Sequence, residues 1–135
     1  MRHRLFGLVV AATLAAAACN GVTDVQPDQP FQLKVGQGAV VPDSSLALRF
    51  EAVPQDSRCP VDVQCIWAGD GVVRLSLRFS ANSSSADLHT NKGAGPGSVR
   101  AGAWTIELLS LTPAPHAGQP IPASEYTATL QVRRP

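Results

Sequence analysis

From Phe31 onward, apolar and polar side chains alternate with a period of two in four separate runs. These are Phe31, Leu33 and Val35; Leu46, Leu48, Phe50 and Ala52; Trp104, Ile106 and Leu108; and Tyr126, Ala128, Leu130 and Val132. Such a period turns every second side chain toward one face, which is the pattern of a half-buried strand and fits no helical spacing. A fifth and longer run places Cys65, Trp67, Gly69, Gly71, Val73, Leu75, Leu77 and Phe79 on one parity. Ala68, Asp70, Arg74, Ser76, Arg78 and Ser80 fall on the other. A run of this length exceeds an ordinary strand, so Gly69 and Gly71 are expected to mark a bend or a change of sheet.

Between the runs lie segments rich in Gly, Pro, Ser and Asn: residues 42–45, 81–85, 91–98 and 113–122. Each reads as a loop, and residues 87–90 as a short edge strand. Short strands separated by turn signals, with almost no helix-compatible window, predict an all-β fold. The expected form is an antiparallel β-sandwich of about seven strands with immunoglobulin-like architecture, and a small β-barrel is the runner-up. Residues 31–135 suit a single domain of this kind.

The first eighteen residues follow a different pattern. Arg2 and Arg4 precede an apolar run from Leu5 to Ala18 that is too short to span a bilayer as a helix. Ala16, Ala17 and Ala18 then lead directly to Cys19. This arrangement resembles the signal of a bacterial lipoprotein, with Cys19 as the thiol that accepts the diacylglyceryl group. Ala16 stands where the lipobox most often has Leu. An ordinary secretory signal, cleaved after an Ala-x-Ala sequence, is the alternative. Residues 19–30, with Pro27, Pro30, Asp24 and Asp28 and no hydrophobic period, read as a lipidated cysteine followed by a flexible tether.

Cysteine parity supports lipidation. The chain has three cysteines, and an exported protein seldom leaves one thiol unpaired. With Cys19 acylated, Cys59 and Cys65 remain to form a disulfide in an oxidising compartment. Their spacing lacks the Cys-x-x-Cys or histidine partners of a zinc or redox site, so no metal site is expected. Removing Arg2 and Arg4 with the leader leaves nine of the eleven basic residues against ten acidic ones, a net charge of about −1. That balance offers no basic field for nucleic acid, and no polybasic tract to supplement acyl chains at a membrane. Asn20, in place of the Asp that retains enterobacterial lipoproteins in the inner membrane, favours the outer membrane.

The run Asp56-Ser57-Arg58-Cys59-Pro60, followed by Cys65-Ile66-Trp67-Ala68-Gly69, resembles a motif of small bacterial lipoproteins and secreted proteins without an assigned activity. The resemblance covers residues 56–69. It implies an exported or lipid-anchored β domain with a Cys59–Cys65 bridge, and it implies no catalytic residues. Physically, Pro60 limits the loop, Asp56 or Ser57 can accept backbone N–H groups at a turn, and the disulfide fixes where the Trp67 strand begins. By parity, Trp67 is expected to pack beside the disulfide on the core face, with exposed ligand stacking as the alternative. Arg58 is expected to pair with Asp56 or Asp62 rather than with an anionic partner.

Catalytic signatures are absent from the sequence. His89 and His116 lie in edge or loop segments away from any Gly-x-Ser-x-Gly motif, and Ser83, Ser84 and Ser85 sit in a predicted loop without an evident base. No phosphate loop or cofactor fingerprint occurs. Arg49, Arg74 and Arg78 are expected to face outward with Glu51 and Asp70, as cross-strand pairs rather than a glycan-binding stripe. The functional expectation is therefore a non-enzymatic cell-envelope lipoprotein without cofactor. Its membrane contact runs through the N-terminal lipid, and its loops serve a structural role or bind an envelope protein or glycan. The second reading is an inhibitor of secreted hydrolases, acting through residues 91–98 and 113–122.

Overall fold

The computed structural model describes residues 21–135; the leader and Cys19 lie outside the described residues. Nine strands run through them: β1 (Val22–Asp24), β2 (Pro30–Lys34), β3 (Gly38–Val40), β4 (Leu46–Asp56), β5 (Gly71–Phe79), β6 (Asn82–His89), β7 (Ser98–Ala101), β8 (Trp104–Thr112) and β9 (Thr127–Arg133). A single 3-10 turn, Ala123–Glu125, precedes β9. The strands form two open sheets, ordered β1-β3-β4-β5-β6 and β2-β9-β8-β7. The all-β expectation holds, and because both sheets are open the barrel alternative is set aside. Two expectations are corrected. There are nine strands rather than about seven, and the first sheet is mixed, because β1 pairs with β3 in parallel.

One apolar core joins the sheets. Phe50, Val73, Leu75 and Leu88 enter it from the five-stranded sheet, and Leu33, Ile106, Ala128, Leu130 and Val132 from the other. The period-two runs of β2, β4, β5, β8 and β9 supply these residues, as half-buried strands must. In β8 the alternation slips. A bulge between Leu108 and Ser110 leaves Leu109 exposed and brings Leu111 inward, which resolves an apolar stretch that strict alternation could not place. Two irregularities in β4, between Phe50 and Gln55, likewise bend the strand toward its end.

Other differences have local causes. The segment read as a tether carries β1, and Val25 is only 3% exposed within the core, because a three-residue ladder to β3 docks it against the sheet. The predicted loop at residues 81–85 begins the edge strand β6, whose backbone pairs with β5 from Phe79 to Val72. Its solvent-facing serines carry no apolar signal, so the sequence pattern detected only the stretch around Leu88. The long run starting at Cys65 becomes a strand only at Gly71.

Strand directions define two ends of the protein. At one end lie the connection between β4 and β5, the β6–β7 connection, the β8–β9 connection and the turn at Gly36. At the opposite end lie the turns after Val41, Phe79 and Ala101, and the C-terminus. The first end carries the Arg58–Asp56 and His89–Asp70 pairs.

A disulfide-clipped corner as candidate functional site

The site is built on the connection between β4 and β5. Beyond the last ladder pair, Asp56 with Gly71, the hairpin continues through Ser57 N–H to the Asp70 carbonyl at 2.7 Å and Cys59 N–H to the Ala68 carbonyl at 3.3 Å. The chain turns back at Gly69, whose φ of 64° lies in the left-handed region, and a Cβ there would overlap the Ser57 carbonyl. Cys59 and Cys65 are bonded, with Cα atoms 6.0 Å apart, and close the tip of the loop. Val61 N–H donates to the Pro115 carbonyl at 3.0 Å, and Asp62 accepts the Ala117 N–H at 2.8 Å, so the β8–β9 connection buttresses the tip.

Apolar side chains nevertheless point outward from this loop. Ile66 is 91% and Trp67 81% exposed, and Val61 and Val63 are also exposed. The expectation that Trp67 packs beside the disulfide on the core face is therefore wrong. Its parity matches that of Val73 and Leu75, but residues 65–70 are not part of the strand, so parity carries no information there. Four neighbouring apolar side chains held outward on a closed loop are more informative than single exposed residues elsewhere.

Behind the loop, Arg58 acts as a clamp. Its guanidinium bonds Asp56 through two atoms, Nε to Oδ1 at 2.8 Å and Nη2 to Oδ2 at 2.7 Å. It also donates to the carbonyls of Leu111 at 2.6 Å and Pro113 at 2.9 Å. Both ionic side chains are largely buried, and the Tyr126 hydroxyl donates to Asp56 at 2.9 Å. Burial pushes the Asp56 carboxyl up, but the Arg58 and Tyr126 hydrogen bonds outweigh it and hold the group below the ordinary carboxylate range. For Tyr126, burial and then its bond to Asp56 raise the phenol. Of the partners open to Arg58 in the sequence, the structure selects Asp56; Asp62 is turned to Ala117.

A second network lies on the β6 side. Asp70, expected to face outward, is only 6% exposed, and one oxygen lies 2.6 Å from His89 Nδ1. The other oxygen accepts the Asn91 N–H at 3.0 Å and the Thr90 hydroxyl at 3.3 Å. Burial raises the Asp70 carboxyl, but the Asn91 N–H and then His89 outweigh it and hold the group below the ordinary range. With Gln55, Trp67 and Asn91, the pair borders an open hollow of about 460 Å³. Sequence reading found His89 but not its partner, because the register that brings residues 70 and 89 together is not written locally.

The Asp70–His89 pair holds an imidazole in a fixed orientation, and Ser57 borders the same hollow. The Ser57 hydroxyl is engaged with the Asp70 backbone, and Ser83, Ser84 and Ser85 are spread along β6. His116 sits in the β8–β9 connection, bridged to Gln119. Among the described residues, no group of three His, Cys, Asp or Glu side chains is placed to hold a metal ion. On the outer face, Arg74 pairs with Asp87 at 2.8 Å and not with Asp70, and Arg49 lies 3.8 Å from Glu51. No family model, curated protein or solved structure matches the chain.

Proposed function

We propose that this is an exported bacterial lipoprotein, acylated at Cys19 and held in the cell envelope, with the outer membrane favoured. In this reading its disulfide-clipped corner is a non-enzymatic binding element. The carrying observation is the pair Ile66 and Trp67, held in solvent on a loop fixed by a disulfide, a left-handed glycine and a largely buried arginine clamp. Rigid display of aromatic and branched apolar side chains lowers the conformational cost of association, and tryptophan is enriched where binding energy concentrates. The Cys59–Cys65 bond accords with an oxidising compartment. The immunoglobulin-like part of this reading extends to architecture alone and is supported by two open sheets packed on one core.

The inhibitor reading ranks second. Residues 113–122, which would enter an active-site cleft, instead support the corner through Pro115 and Ala117. The test has two arms. Mass spectrometry of the mature protein should show an acylated Cys19 at its N-terminus, and Cys19→Ser should release the protein from membranes. The double variant Ile66→Ser with Trp67→Ser should remain folded and lose cross-linking to envelope components. An unacylated mature N-terminus, or undiminished cross-linking by the double variant, would refute the corresponding half of the proposal.

A further inference from the structure

We infer that the partner of the corner is the bilayer that receives the Cys19 acyl chains, with Ile66 and Trp67 seated at its headgroup boundary as a second point of attachment. The inference rests on the lipoprotein reading above. Its own observation is the direction in which the chain enters the fold. Val22 pairs with Gly38, which pairs with Arg49 of β4, and β1 runs antiparallel to β4. Traced backward from Val22, the chain therefore heads toward the end of β4 at Asp56, where the disulfide loop stands. The C-terminus leaves from the opposite end.

Lengths show which part of this end projects farthest. From Arg49 to Asp56 the bent strand advances about 20 Å. Cys19 precedes Val22 by three residues, a reach of at most about 10 Å. Asp56 thus lies about 10 Å past that reach and the loop stands beyond it, so the loop is the part of this end that projects farthest toward the surface holding the acyl chains. An acyl chain short-tethered at this end brings the loop, and not the turns of the other end, to the membrane.

The chemistry of the loop fits a lipid surface. From Pro60 to Gly69 the only ionisable side chain is Asp62, and it is already bonded to the Ala117 N–H. The backbone N–H groups of Cys59, Val61 and Val63 donate to Ala68, Pro115 and Pro60, while those of residues 64–69 have no protein acceptor among the described residues and suit the hydrated headgroup boundary rather than the hydrocarbon interior. Trp67 has the amphipathic indole that settles at membrane–water interfaces. The nearby guanidinium of Arg58 is neutralised by Asp56 and turned inward.

The acylated full-length mature protein, reconstituted in vesicles of phosphatidylethanolamine and phosphatidylglycerol doped with brominated phosphatidylcholine, tests this. Trp104→Phe leaves Trp67 as the sole tryptophan. If that variant does not fold, the difference in emission between native protein and Trp67→Phe isolates the same signal. Trp67 emission should shift to shorter wavelength, be quenched by the brominated lipid and lose most of its quenching by aqueous iodide. Acylated protein whose Trp67 stays fully open to iodide in these vesicles overturns the inference and leaves the lipoprotein reading intact. Shielding in native envelope membranes but not in pure lipid also overturns it, in favour of a protein partner. A mature protein without acyl mass at Cys19 removes both readings together.

Discussion

The Arg58 guanidinium donates to the carbonyl oxygen of Leu111 at 2.6 Å, across 53 positions of sequence, and so ties the disulfide corner of one sheet to a strand of the other. Because the same side chain neutralises Asp56, the bond is both a structural tie and the means by which two charges are kept out of water. Arg58→Ala leaves a largely buried carboxylate without its cation and should cost about 2–4 kcal/mol in urea unfolding. Arg58→Lys should recover only part of this, since an ammonium cannot bond Asp56 through two atoms while reaching both carbonyls. Equal stability of native protein and Arg58→Ala would show that the clamp contributes nothing net.

Acid should weaken the same end of the molecule. Despite burial, hydrogen bonds hold the Asp56 and Asp70 carboxyls below the ordinary carboxylate range, so the unfolded chain takes up their protons more readily than the folded one. Their stabilisation is complete above about pH 4 and declines as pH falls through the lowered folded values. Urea midpoints measured from pH 7 downward should therefore drop on that limb. Asp70→Asn should lose about 1–3 kcal/mol at neutral pH and show a shallower acid limb, the two curves converging at low pH. Parallel curves would dissociate Asp70 from the acid response.

Gly69→Ala is expected to be disproportionately damaging for so small a change. The residue sits at a φ of 64°, and the added methyl would meet the Ser57 carbonyl, so the hairpin extension must open. A loss of about 1–3 kcal/mol by thermal or chemical unfolding is expected. A neutral result would mean that the turn relaxes freely.

The cross-link itself is modest. A bridge between residues six apart in sequence restricts only a small loop in the unfolded chain. Replacing Cys59 and Cys65 together by Ser should thus cost about 2 kcal/mol, and the sandwich should remain folded. Proteolysis under native conditions should then cut first within residues 60–68. Resistance of that segment equal to that of the bridged protein would show that Pro115 and Ala117 suffice to hold it.

Two aromatic residues should respond in opposite ways. Phe50 is fully buried, and Phe50→Ala should lose about 3–5 kcal/mol. Trp67 is 81% exposed, and Trp67→Ser should stay within about 0.5 kcal/mol of the native protein. A large destabilisation by Trp67→Ser would contradict its solvent position.

Alternation alone located the strands that build the core, because Leu33, Leu46, Leu75, Ile106 and Leu130 sit on half-buried strands whose period is a local property. It missed β1 and β3, which have three residues each, and the serine-rich half of β6, because short or wholly polar strands are held by neighbours rather than by their own burial pattern. At the corner, the sequence marked the right residues and misjudged their exposure. Asp70 was expected outward and is buried, and Trp67 was expected inward and is exposed, both because the chain leaves strand geometry between Cys65 and Asp70.

By itself, then, the sequence determined the all-β character and the core-forming strands, since each follows from local period, and it pointed to the pairing of Cys59 with Cys65 that the structure shows. Only the tertiary structure decided that Arg58 reaches Leu111, that Asp70 meets His89 and that Ile66 and Trp67 stand in solvent. Those relationships depend on strand register, on bulges and on how one sheet lies over the other. Register and packing are set by the summed fit of distant surfaces, a quantity that no short stretch of residues contains.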